Sequence, residues 1–114
     1  MLTLEKLEEM GINTKEGLNR CMDNEAFYFK MIALGISNEC FESLGKALSS
    51  GNLDEAFEAA HALKGVIGNL AIAPIYDPLV KITEMLRAKK DADYMPMYNQ
   101  IKDMRDRLLA ACKD

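Results

Sequence analysis

The chain has 114 residues, a formal net charge of −4, and 49% hydrophobic against 28% charged side chains. That length suits one domain with a real core, which needs no disulfide or metal to fold. The composition excludes a disordered chain, and the acidic balance argues against general nucleic-acid binding. Ala, Leu, Glu, Lys and Met dominate, with no Trp and few Gly and Pro. These are strong helix formers, so an all-α fold is expected. The charge is uneven. Residues 1–60 hold five basic and eleven acidic residues, and residues 61–114 hold nine and seven. An acidic partner site would prefer the second half. The cysteines Cys21, Cys40 and Cys112 are odd in number and show no metal-ligand spacing. With no signal-like start and no membrane-length apolar run, a reducing cytoplasm and no membrane association are expected.

In chain order, residues 3–10 read as a short amphipathic helix stopped by Gly11. Thr14 is the expected cap of a second, through Cys21, burying Leu18. Asn24 caps a third that runs to Gly35 with Phe27, Met31 and Leu34 inward. Asn38 to Ser49 is the next, bearing Phe41, Leu44 and Leu48, and Ser50-Gly51-Asn52 is a turn. A central helix spans residues 53–69. The following helix begins near Ile72 or at Pro78, where Asp77-Pro78 reads as a cap and first helical residue. If it begins before Pro74, Pro78 should kink it. It ends near Lys89-Lys90, cations suited to the negative end of its dipole. The last helix runs from about Asp93 to Cys112, with Met97, Ile101, Met104, Leu108 and Ala111 in one stripe. Short connections between these longer helices predict an up-and-down four-helix bundle over 38–112. Residues 1–35 would pack on it, giving a single domain over 1–114.

On a wheel of about 100° per residue, Leu53, Ala56, Ala59, Ala60, Leu63, Val66, Ile67 and Leu70 form one apolar sector. Asp54, Phe57, Glu58, His61, Lys64, Gly65 and Gly68 lie opposite. The one histidine of the chain therefore faces outward. Each Gly inside a helix costs roughly 1 kcal/mol against Ala, so two of them beside His61 call for a reason. Without Cβ atoms, Gly65 and Gly68 make a smooth patch on which another protein approaches the imidazole. Lys64 shares that face and reaches a phosphate on the ring. A neutral imidazole has a free nitrogen lone pair and acts as a nucleophile without a dedicated base.

The string His61-Ala62-Leu63-Lys64-Gly65 resembles the H-x-L-K-G signature of histidine phosphotransfer (HPt) domains. The resemblance covers nearly the whole chain. The opening, Gly11-Ile12-Asn13 through Glu16-Gly17-Leu18 and then Asn24-Glu25-Ala26-Phe27-Tyr28, is similar to stand-alone bacterial members. The resemblance implies His61 as phospho-acceptor, Lys64 as phosphate partner, and Gly65 and Gly68 as the approach surface. Phe57 and Asn69 are candidate docking residues. So are Thr83 and Arg87, one turn apart, because the family often has a polar or basic residue on the neighbouring helix facing the phosphohistidine. One position departs: the family commonly has Gly ten residues after the histidine, where this chain has Ala71. The departure is expected to affect the turn rather than the phosphate site.

By the same resemblance the partners are response-regulator receiver domains and a hybrid sensor kinase. The receiver supplies the aspartate and the Mg²⁺, and the chain itself has no metal or other cofactor and acts as a monomer. It is then a phosphocarrier in a phosphorelay, not an enzyme in its own right. No phosphate-cradling Gly loop, Cys pair or Ser/His/Asp set points elsewhere. Two other classes stay open. A sensor-kinase helix hairpin usually follows its histidine with an acidic residue and soon a Pro, unlike Ala62 here. A helical adaptor would bind a partner without phosphate chemistry.

Overall fold

The computed structural model describes residues 1–113. They form seven helices: α1 (Leu4–Glu9), α2 (Thr14–Arg20), α3 (Glu25–Ile36), α4 (Cys40–Ser50), α5 (Leu53–Asn69), α6 (Ala73–Arg87) and α7 (Met95–Lys113). No strand occurs among the described residues. Helices α4 to α7 are sequential neighbours that make an up-and-down bundle, with α3 against α5 and α7. No described helix is long and apolar enough to cross a membrane.

Polar caps set the starts. Thr3, Asn13, Asn24 and Asn52 each accept a hydrogen bond from the backbone N–H three residues on, at 3.0–3.1 Å, satisfying donors that a helix leaves unpaired. The cap of α2 is thus Asn13, not Thr14. Thr14 is buried, and its hydroxyl donates to Glu8 at 2.8 Å. Gly51, with φ of 75°, ends α4 in the left-handed region, and Asn52 starts α5 at once. That two-residue connection forces α4 and α5 to run antiparallel.

The core draws Ile32 and Ile36 from α3, Phe41 and Leu44 from α4, and Ala56, Ala60, Leu63 and Ile67 from α5. Ile75, Leu79, Ile82 and Leu86 of α6 and Ile101 and Leu108 of α7 complete it. Burial of each of the larger side chains contributes about 1.5–3 kcal/mol. Leu2, Leu7 and Ile12 from the N-terminal segment are buried in the same cluster. Met97, Met104 and Ala111 flank Ile101 and Leu108 on α7 and are half-buried.

Helix α3 turns a different face inward from the one its sequence suggested. Tyr28, Ile32, Gly35 and Ile36 are buried, whereas Phe27 and Leu34 are 38% and 58% exposed and Met31 is half-buried. The segment Ala26–Ile36 is apolar almost all round, so periodicity does not choose between faces. The Tyr28 hydroxyl decides: it donates to the Leu70 carbonyl at 3.1 Å and ties α3 to the end of α5. Helix α6 starts at Ala73 with Pro74 in its first turn and continues through Pro78, where the missing N–H removes one rung of the ladder. It ends at Arg87, two residues short of Lys89-Lys90, and Lys89 is already left-handed. Asp93 accepts from the Met95 N–H at 3.1 Å, just before α7.

Candidate functional site

Ala60 and Leu63 are buried on α5, which turns the intervening face to solvent. His61 is exposed on that face, with no side-chain hydrogen bond or ion pair among the described residues. One turn before it, the half-buried Phe57 ring stacks on the imidazole, with centroids 5.6 Å apart and planes 16° from parallel. The Arg87 guanidinium carbon lies 5.4 Å from the Phe57 ring centre, within the range of a cation–π contact. Arg87 also stands 3.6 Å from the Glu84 carboxylate. A turn further back, Lys89 pairs with Asp54 at 3.2 Å. The C-terminal end of α6 thus presents cations alongside the N-terminal half of α5.

On the other side of His61 lies Lys64, half-buried and in no ion pair among the described residues. It lines an open cleft of about 460 Å³ together with Gly65, Gly68, Asn69, Arg20 and Tyr76, among others. Gly65 is bare: a Cβ built there meets no atom within 4 Å. Gly68 differs. A Cβ there would stand 2.8 Å from the Tyr76 ring, so this glycine admits the first turn of α6 rather than leaving open surface. The Gly68 carbonyl accepts from Arg20, which also pairs with Glu16 at 2.6 Å, so α2 is latched to the end of α5. Asn69 is exposed and borders both this cleft and a second, apolar one. The second measures about 340 Å³ and is lined by Met31, Leu34, Gly35, Asn38, Val66 and Leu70 as well.

The structure therefore gathers His61, Lys64, Gly65, Phe57 and Arg87 on one surface, with Asn69 at its edge. It does not place Thr83 there. Thr83 is fully buried, and its hydroxyl donates to the Leu79 carbonyl at 2.6 Å, which satisfies it within α6. Being four residues from Arg87 does not suffice, because helical drift of about 40° over that interval turns Thr83 into the core. Sequence reasoning missed Arg20 and Tyr76, and nothing in their local pattern marks them. It also missed the exposed apolar side of α3, although a helix apolar all round in so small a chain has to show one face to solvent.

Fold and site define a helical bundle that displays its one histidine on an open surface beside a lysine and a bare glycine. The family model described as Hpt domain matches residues 34–111, and the chain belongs to that family. Hpt domains are phosphocarriers of histidine phosphotransfer in the phosphorelays of two-component signalling, and they interact with receiver domains and kinases. The match runs from the end of α3 through α7; α1, α2 and most of α3 lie outside it. Comparison with curated proteins and with solved structures returned no match.

Proposed function

We propose that His61 carries the phosphoryl group, taking it from the aspartyl phosphate of one receiver domain and giving it to another. The observation that carries this reading is arithmetical and geometric at once. The family transfers phosphate through a histidine, this chain has one histidine, and that residue stands exposed beside a bare glycine. In the step itself an imidazole nitrogen lone pair attacks phosphorus. A P–N bond forms as the P–O bond to the aspartate breaks, and the aspartate leaves as carboxylate. The second transfer is the reverse. Lys64 offsets charge on the phosphoryl oxygens in both. The aspartate and the Mg²⁺ belong to the receiver in this reading, and a hybrid sensor kinase starts the flow.

The partner's footprint is assigned to Gly65 and Asn69 with the apolar cleft beyond them, where Met31 and Leu34 of α3 face Val66 and Leu70. Phe57 and Arg87 bound it on the other side. Gly68 and Thr83 are left out of it for the reasons given above. The chain works as a monomer in this reading, which native mass measurement checks.

The deciding experiment incubates the wild-type chain and His61→Gln with radiolabelled phosphorylated receivers. Label on the wild-type chain and none on His61→Gln, with melting temperatures within a degree or two because an exposed substitution moves stability by no more than about 0.5 kcal/mol, is the expected result. No label on the wild-type chain from any receiver would overturn the reading in favour of an adaptor.

A further inference from the structure

Arg87, Phe57 and His61 form a continuous run of contacts from α6 onto the exposed imidazole. We infer that Phe57 is a positioning residue: its ring orders the His61 imidazole so that the ring edge stays turned to the incoming phosphoryl group. This rests on the reading of His61 as phospho-acceptor. An exposed helical histidine without a hydrogen bond samples two principal χ1 wells and a broad two-fold χ2. Most of those orientations point the nucleophilic nitrogen away from an in-line approach, and in-line geometry is where a phosphoryl-transfer rate is won or lost.

The stack narrows that choice. Centroids 5.6 Å apart lie inside the 4.5–7 Å range of productive aromatic pairs. Planes only 16° from parallel put Phe57 in an offset stack beside a face of the imidazole, an arrangement that leaves the ring edge, where the nucleophilic nitrogen lies, open. Phe57 is itself fixed. It is half-buried, packs against the core, and has the Arg87 guanidinium against its ring. Glu84 stands 3.6 Å from Arg87, an exposed pair that adds little to this order. The order imposed on His61 thus comes from the packing of Phe57 on α5 and its contact with Arg87 at the end of α6, at the edge of the docking surface.

The test separates positioning from partner contact. Wild type, Phe57→Leu, Phe57→Tyr and Arg87→Gln are compared by two readouts on the full chain. The first is the set of His61 side-chain NMR couplings in the free protein, which report χ1 averaging. The second is single-turnover transfer from a phosphorylated receiver over a range of receiver concentrations. Phe57→Leu is expected to average the couplings and to slow saturating transfer by roughly three- to fivefold, the number of orientations released, with the half-saturating concentration unchanged. Phe57→Tyr restores both. Arg87→Gln, at an exposed position that cannot disturb the core, gives a smaller change in the same direction. Unchanged couplings in both Phe57→Leu and Arg87→Gln overturn the proposal. So does a defect confined to the half-saturating concentration, which marks a docking contact. If the wild-type chain accepts no phosphate at all, the relay reading fails separately, and the couplings alone decide whether Phe57 orders the ring.

Discussion

The ring of Tyr76 lies against Gly68 so closely that a Cβ at residue 68 would come within 2.8 Å of Tyr76 Cε1. Two glycines three residues apart on α5 therefore have opposite reasons to be there. At Gly68 the missing Cβ lets α6 start beside α5. At Gly65 nothing stands within 4 Å, and the missing Cβ leaves space outside the molecule.

Alanine at each position separates the two roles. Gly65→Ala gains helix propensity at no steric cost and is expected to raise stability by up to about 1 kcal/mol. If a receiver approaches over that spot, transfer slows. Gly68→Ala gains the same propensity but must displace an aromatic ring, and overpacking of that kind costs about 1–3 kcal/mol. A net loss of about 1 kcal/mol is expected. Urea unfolding and transfer kinetics on the same two proteins check this; a stabilised Gly68→Ala would show that Tyr76 swings aside freely.

Ala71 stands at φ of 59°, in the left-handed region, directly after the Leu70 cap of α5. An L side chain there is strained by about 1–2 kcal/mol. Ala71→Gly relieves the strain but loosens the unfolded chain by about 0.4–1 kcal/mol. The net expectation is a gain of roughly 0.5–1 kcal/mol, a rise of a few degrees in Tm, with transfer unchanged. A fall in Tm would mean that the Ala71 methyl contributes packing worth more than its strain.

Alkaline pH is expected to loosen the tie between α3 and α5. Burial, with the Cys21 thiol beside it as the smaller cause, pushes the Tyr28 phenol from 10.0 up to about 12. The folded chain then keeps a proton that the unfolded chain gives up. Stability from this source is fully present below pH 10 and is lost as pH rises from about 10 through 12. Burial raises Tyr94 and Tyr98 as well, so they act in the same sense. Tyr28→Phe is expected to flatten part of this slope while costing about 1 kcal/mol at neutral pH through the lost bond to the Leu70 carbonyl. Urea midpoints from pH 7 to 11.5 test it, and an unchanged slope in Tyr28→Phe would refute the assignment.

Where one residue's chemistry dictates local structure, the sequence was legible. Asn24 and the Gly51-Asn52 turn mark boundaries because few residue types satisfy a cap or a left-handed end. The wheel of α5 put His61 outward because the helix has a clear polar side. Legibility failed where the deciding contact is distant in sequence. The face of α3 is chosen by Tyr28 reaching Leu70, 42 residues on. Gly68 looked like open surface because Tyr76 lies across the turn. Thr83 looked available because a Thr satisfied by its own helix reads the same in sequence as an exposed one. The Arg87–Phe57–His61 run needed the antiparallel register of α5 and α6, which no local pattern reports.

Lys64 offers the sharpest electrostatic test of the site. It is half-buried in the cleft, one turn from His61, and no carboxylate among the described residues neutralises it. If His61 carries the phosphoryl group as proposed, a free ammonium so placed favours it and the charge that develops during transfer. Such a contact near the surface, about 4 Å long, is worth on the order of 1–4 kcal/mol before screening, so Lys64→Ala is expected to slow transfer about tenfold. Stability should change little, since the substitution removes no fully buried volume and alanine keeps the helix. Lys64→Arg should retain most of the rate, because charge rather than shape is the requirement. Raising the salt from 0.05 to 1 M shortens the screening length to about 3 Å and should narrow the gap between wild type and Lys64→Ala. Equal rates for the two at low salt would show that Lys64 is only a solvated charge and that the phosphoryl group is stabilised wholly from the partner's side.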